Sequence, residues 1–168
     1  MTVHGGKNMN ISQEGITLIK HYEGCPKDKD GNAVSYRCAA NKATIGYGSL
    51  KLIDGSPVQD NMSISMQEAE DLLAHELIEY EGYINDMVNV QLSQNQFDAL
   101  VSWVFNLGPN NLRSSTLLKV LNSTHVDWAD IPYQIQRWNK VNGKVSEGLV
   151  KRRKSEALLF EGKDWTDI

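Results

Sequence analysis

The apolar pattern of this chain changes once, near residue 65, and that change limits the folds open to it. Over residues 33–60 the apolar patches are short and are broken by Gly46, Gly48, Gly55 and Pro57. Such a segment reads as a small, irregular antiparallel sheet. From residue 65 the spacing becomes helical. Ser65-Met-Gln-Glu68 is a capping box, in which each side chain can satisfy a free amide at the other's position. Leu72, Leu73, Leu77, Tyr80 and Ile84 follow at helical spacing, which predicts a long helix to about residue 88 despite Gly82. Ser93-Gln-Asn-Gln96 is a second capping box. It opens the most apolar run, Phe97, Leu100, Val101, Val104, Phe105 and Leu107, which stops at Gly108-Pro109. Shorter helices are expected near 114–122, 126–138 and 149–161. At the other end, residues 11–24 read as a helix with Ser12 as cap, Gly24 as its terminating glycine and Pro26 forbidding continuation. The order is a helix, a small sheet, then helices only. It predicts one α+β domain: an N-terminal lobe over 1–64, a linking helix over 65–88 and a helical lobe over 89–168. A cleft between two lobes is where ligand sites tend to form.

Composition narrows the class. At 168 residues, 40% hydrophobic and 23% charged, the chain suits a globular fold. Trp103, Trp128, Trp138 and Trp165 can add large buried areas. The net charge of -4 is uneven: residues 1–110 hold 7 Lys+Arg against 14 Asp+Glu, and residues 111–168 hold 10 against 7. The acidic first part repels phosphates, which argues against nucleic acid as partner. The basic end suits an anionic polymer such as a cell wall with carboxylate-bearing peptides. No run approaches the roughly 18 apolar residues of a membrane helix, so no stable membrane insertion is expected. The polar N-terminus lacks the apolar stretch of a signal peptide, and residues 1–8 are expected to pack little. His4, His21, His75 and His125 are scattered and give no metal pattern. Cys25 and Cys38 are the two cysteines, and a cytosolic chain keeps such thiols reduced.

The chemistry-bearing residues cluster upstream of residue 50. Glu23 falls at the C-terminal end of a helix, where the macrodipole disfavours negative charge. That suits a proton donor, although a solvated glutamate at a fraying helix end is the plainer reading of position alone. Cys38 lies six residues before Thr44. A thiolate is both base and nucleophile, and a hydroxyl can orient water. Read singly, Cys38 is also a small buried hydrophobe or half of a Cys25–Cys38 disulfide, and Thr44 an ordinary strand residue. Gly46 and Gly48 flank Tyr47, so the backbone can approach a ligand and Tyr47 can offer an aromatic face.

Together, Glu23-Gly24, Cys38 and Ala43-Thr-Ile-Gly-Tyr-Gly48 resemble the active site of bacteriophage lysozymes (endolysins, glycoside hydrolase family 24). Gln96-Phe-Asp-Ala-Leu-Val-Ser-Trp-Val-Phe-Asn-Leu-Gly108 is similar to that family's core helix. Residues 113–122 are similar to its next helix. Arg137-Trp-Asn139, Gly143, Gly148-Leu-Val-Lys-Arg-Arg153 and Glu156 resemble its terminal region. The resemblance spans about residues 11–161. It implies a lysozyme-like fold and a muramidase cutting the β-1,4 bond between N-acetylmuramic acid and N-acetylglucosamine, with no cofactor. It further implies Glu23 as proton donor, Cys38 as second catalytic group and Thr44 as third member, with Tyr47, Ser115 and Asn139 in substrate contact. For Ser115 a helix-capping role, and for Asn139 a surface amide, are equally good readings. Arg137 is read as structural, held by a partner acid. Lys151, Arg152, Arg153 and Lys154 read first as a solvated basic face and second as a cell-wall contact.

Three departures stand out: Cys38 where the family commonly has Asp, a longer loop from Cys25 to Ser35, and Ser49 where many members have His. The resemblance implies a monomer made in a host bacterial cytoplasm. It would reach the periplasm and wall once a separate membrane-permeabilising protein, a holin, has acted. Two rival functions are a lytic transglycosylase, needing only Glu23, and a non-catalytic peptidoglycan-binding module.

Overall fold

The computed structural model describes residues 8–168. Of residues 1–8, only Asn8 falls among them, and it is exposed. The chain divides into two compact units. One is Ile19–Ile78, and the other joins the described residues up to Leu18 with Glu79–Ile168. Two helices, α1 (Gln13–Glu23) and α2 (Met66–Met87), contribute residues to both.

Ile19–Ile78 has little regular structure. Strands β1 (Ala33–Val34) and β4 (Ser63–Ile64) pair antiparallel, with Ala33 opposite Ile64. Strands β2 (Tyr36–Arg37) and β3 (Ala43–Thr44) form a second ladder, with Tyr36 opposite Thr44. The expected small sheet is therefore two separate ladders, and its last strand lies beyond residue 60. Turn chemistry holds the remainder. Asp28 Oδ1 accepts from the amides of Asp30 and Asn32, at 2.9 and 3.0 Å. Ile45 and Ser49 exchange both backbone hydrogen bonds at 2.9 Å, closing a tight turn around Gly46-Tyr-Gly48. Leu18 and Ile19 of α1 are fully buried, and Gly24 ends that helix at φ +68°, its amide donating to the Lys20 carbonyl at 3.0 Å. The Ser65–Glu68 box forms as expected: the Glu68 amide donates to Ser65 Oγ (3.1 Å) and the Ser65 amide to Glu68 Oε1 (3.3 Å).

The other unit is helical: α3 (Gln94–Leu107), α4 (Pro109–Ser114), α5 (Thr116–Leu121), a 3-10 turn (Trp128–Asp130), α6 (Ile131–Gln136) and α7 (Glu147–Phe160). Helix α3 packs on α7, and α7 on α6. Phe97, Leu100, Val101, Trp103 and Val104 are all buried to within 1% of full enclosure. Burial at that level stabilises by about 1.5–3 kcal/mol per large side chain. The Ser93–Gln96 box caps α3. Sequence pattern placed no helix at 109–114, yet Pro109 starts α4 at once, because proline suits the first helical position. The stretch expected as one helix over 126–138 is a 3-10 turn followed by a short helix with Pro132 in its first turn. The helices are also interrupted by a hairpin, β5 (Lys140–Val141) with β6 (Lys144–Val145), turning at Asn142-Gly143, both at positive φ.

Two polar arrangements organise this unit. The hydroxyl of Ser12, expected to cap α1, instead donates to Asp98, which also accepts from the Ser12 amide (2.9 Å) and from Gln94 Nε2 (2.8 Å). Gly15 lies against the same carboxylate: a Cβ there would come within 2.7 Å of Ile11 Cγ1 and 2.8 Å of Asp98 Cβ. Elsewhere Glu156, fully buried, binds two arginines. Arg152 Nε reaches Oε2 at 3.2 Å and Arg153 Nε reaches Oε1 at 2.9 Å, while Ser102 Oγ donates to Oε2 at 2.6 Å. This corrects the solvated-face reading of 151–154: Lys151 and Lys154 are exposed, but Arg152 and Arg153 turn inward, because Glu156 lies three and four residues ahead on the same helix face.

Candidate active site

Glu23 is the last residue of α1 and is half-buried. Gly48, at φ +100°, brings its backbone beside it: a Cβ built on Gly48 would sit 3.5 Å from Glu23 Oε1. The turn and the carboxyl thus meet within one unit, and the glycine leaves open the space next to the acid.

Cys38 follows β2 and begins the turn that leads into β3. Its amide donates to the Lys42 carbonyl at 3.0 Å, and the Asn41 amide to the Cys38 carbonyl at 2.7 Å, with Asn41 at φ +59°. The Thr44 hydroxyl, hydrogen-bonded to the sulfur, does most to hold the Cys38 thiol below the usual cysteine range. The Lys42 amide follows and, against an opposing effect of burial, so do the amides of Ala40 and Cys38 itself. Backbone amides converging on a turn in this way favour an anion. The Thr44 hydroxyl has one proton and two acceptors, since it also lies 2.8 Å from the Lys42 carbonyl. Thr44 is 2% exposed, so its hydroxyl is held away from bulk water.

Both cysteines are free thiols. Burial pushes the Cys25 thiol up, and its sulfur lies 3.8 Å from Met66 Sδ. The two thiols are therefore poised oppositely. Among the described residues no group of three or more His, Cys, Asp or Glu could hold a metal ion, and no helix is long and apolar enough to cross a membrane.

The sequence profile of the Phage lysozyme family matches residues 20–156. The chain belongs to the phage lysozyme family. It is 41% identical over 154 residues to the endolysin of Bacillus phage B103, covering 90% of this chain and 54% of that protein. With the endolysin of Salmonella phage P22 it shares 35% identity over 152 residues, covering 90% of this chain and 98% of that one. Among solved structures, the endolysin from Escherichia coli O157:H7 phage FAHEc1 superposes with a TM-score of 0.80 at 34% identity, over 90% of this chain and 93% of that one. The muramidase domain of SpmX from Asticaccaulis excentricus superposes at 0.75 with 29% identity, over 90% of this chain and 97% of that one. The chain spans about half the length of the Bacillus phage relatives it matches.

Against that family membership, the remaining site residues are placed as follows. Tyr47 is 6% exposed, with Lys20 Nζ 5.5 Å from its ring centroid, so the ring packs inside the turn and one face meets a cation. Lys20 is held in turn by Glu70, which raises its ammonium's pKa. Ser115 and Asn139 come together in the helical unit. They line one cavity of about 440 Å³ with Leu107, Thr116, Arg137 and Trp138. Ser115 caps α5, accepting from the Leu118 amide (3.0 Å) and donating to the Leu112 carbonyl (2.7 Å). Asn139 is half-buried, and its backbone carbonyl accepts from the Ser146 amide at 2.9 Å. Arg137 is held by an amide, not an acid: Nη1 donates to Gln134 Oε1 at 3.0 Å.

Sequence reasoning passed over Tyr36. It faces Thr44 across the β2–β3 ladder, and its phenol is pushed up, first by burial and then by the negative charges of Glu23, Cys25 and Cys38. Its strand is two residues long, too short for alternation in the sequence to mark it.

Proposed function

We propose that this chain is a muramidase that hydrolyses the β-1,4 bond between N-acetylmuramic acid and N-acetylglucosamine in peptidoglycan. What supports the reading is Cys38 at the start of the turn that leads to Thr44, in the same unit as Glu23 beside the open Gly48 position, with the Thr44 hydroxyl doing most to lower the thiol's pKa. Glycoside hydrolysis generally needs a proton donor on one side of the scissile bond and a negative group on the other. Glu23 gives its proton to the leaving oxygen as the C–O bond breaks. Water adds to the anomeric carbon, and its proton passes to Cys38, with Thr44 orienting that water. The catalytic set is Glu23, Cys38 and Thr44, and it works without a cofactor.

Substrate contact falls to Tyr47, Ser115 and Asn139 in different ways. Asn139 presents a half-exposed amide. Tyr47 and Ser115 act through the turn and the helix start that they hold. In the cell the protein acts as a monomer. It is made in the host cytoplasm and reaches the wall after a holin has opened the membrane, lysing the host.

The test is digestion of purified peptidoglycan by the wild type and by Glu23→Gln, with mass spectrometry of released muropeptides. New reducing N-acetylmuramic acid ends, lost in the variant, are expected. Products with 1,6-anhydro ends would move the assignment to a lytic transglycosylase. Binding without release by a folded wild type would leave a wall-binding module.

A further inference from the structure

The segment that follows α6 carries two cations that no acid neutralises. Arg137 ends a chain of side chains running along the 3-10 turn and α6. Gln134 Nε2 donates to Asp130 Oδ2, and Arg137 Nη1 donates to Gln134 Oε1, each at 3.0 Å. An ionised carboxylate only accepts, so the buried Gln134 amide turns its NH2 to Asp130 and its oxygen to Arg137. The guanidinium is thus oriented through a neutral amide, and the acid stands one side chain away from its charge. Lys140, three residues on, is exposed, and among the described residues neither cation is in an ion pair. Both line the cavity of about 440 Å³ that Ser115 and Asn139 share, and no acidic residue is among those lining it. Trp138 gives that cavity an apolar wall, its ring held edge-on against the buried Trp103 at 5.4 Å.

We propose that this cavity is an anion subsite, in which Arg137 and Lys140 bind a carboxylate of the peptide attached to N-acetylmuramic acid. The protein would then prefer glycan that bears its peptides. The proposal rests on the muramidase reading for its occupant, not for its geometry. Two uncompensated cations at one cavity suit an anion, and the charge stays available because an amide, not an acid, orients Arg137. Its guanidinium keeps N–H groups beyond the one given to Gln134, and a planar fork of that kind matches a carboxylate. The chemistry of the glycan says where that carboxylate is. Once a peptide is attached, the lactyl carboxyl of N-acetylmuramic acid is consumed in an amide bond. The negative charge of the substrate then lies on the peptide. The Trp138 wall suits the short alkyl parts of such a peptide, and the exposed hydroxyls of Ser114 and Thr116 suit its amides.

The test is titration calorimetry of the full chain with N-acetylmuramyl-L-alanyl-D-glutamate and with its diamide, neither of which has a β-1,4 bond to cut. The diacid is expected to bind about tenfold more tightly, the size of one charge-assisted contact. Arg137→Gln combined with Lys140→Gln should erase that preference. Arg137→Lys should keep part of it, since it retains the charge and loses the fork. Both side chains are exposed, so the urea midpoint should stay in place. On peptidoglycan, the double variant should raise KM about tenfold and leave kcat within about twofold, as expected when uniform binding is lost. Amidation of the stem carboxylates should raise the wild-type KM to the same level. Equal affinity of the wild type for diacid and diamide would overturn the proposal, as would a preference that survives the double variant. Binding of N-acetyl-D-glutamate as tight as that of the diacid would also overturn it, by showing a general carboxylate site. A wild type that releases no muropeptides sinks the muramidase reading alone, because the two muramyl peptides still decide what the cavity binds.

Discussion

Seven of the eleven described residues with positive φ lie in Ile19–Ile78: Gly24, Gly31, Asn41, Gly46, Gly48, Gly55 and Asn61. The larger helical unit has four, and two of those form a single hairpin turn. The smaller unit is shaped by backbone turns, and its strands are two residues long. The helical unit is shaped by packed apolar faces and one enclosed ionic cluster. The difference teaches where each kind of residue is tolerated. A turn places a thiol or a carboxyl without fully enclosing it, so Cys38 and Glu23 stay reachable. A packed helix encloses its charges and must pair them, as Glu156 pairs Arg152 and Arg153.

Substitutions can break this contrast. The largest effect should come from Glu23→Gln, which removes the proposed proton donor. Peptidoglycan solubilisation should fall about 10²- to 10⁴-fold, with the urea midpoint nearly unchanged. Equal loss of activity and stability would show Glu23 to be structural instead. In the helical unit the order reverses. Glu156→Gln strands two buried guanidinium groups and should cost about 3–5 kcal/mol in urea unfolding. A loss below about 1 kcal/mol would mean that water enters the cluster. Next comes Gly48→Ala, expected to cost about 1 kcal/mol, because alanine must adopt φ near +100°. Its added methyl also meets Glu23, so activity should fall by more than stability does. A variant with full activity would separate the turn from the acid.

The thiols sharpen the contrast within one unit. Thr44 and the turn amides lower the Cys38 pKa, so the thiolate's contribution to stability is present above the unfolded-state pKa and is lost as pH falls through the folded one. Cys25 runs the other way: burial raises its pKa, and stability falls as pH rises through the interval above the unfolded-state value. Mass-resolved alkylation near neutral pH should therefore label Cys38 before Cys25, with activity lost in step with the first label. Labelling in the opposite order would refute the assignment. Smallest of all, Asp60→Asn should change stability by less than about 1 kcal/mol, since its pair with Arg37 is exposed on both sides.

The sequence carried the capped helices and the terminating Gly24 plainly, since each depends on residues within four positions of one another. The Phe97–Val104 core helix and the Thr44–Gly48 turn were equally legible. What was harder had a partner elsewhere. Asp98 replaced a local cap for α1 because its carboxylate arrives from α3. Arg152 and Arg153 looked solvated because hydrophilic side chains show their burial only once α3 supplies Ser102 and Asn106. The 140–145 hairpin did carry a local sign, Asn142-Gly143, but its strands are too short to show alternation. Tyr36 emerged only when the ladder register set it opposite Thr44.

The contact between Gly15 and Asp98 has a consequence for how sequences of this kind diversify. Any side chain at 15 collides with the carbon that carries the carboxylate at 98, and with Ile11. Any loss at 98 leaves the Ser12 amide and hydroxyl without their acceptor. Neither position can drift alone. Substitutions there should enter a lineage as a coupled pair, so that two sites 83 residues apart behave as a single inherited character.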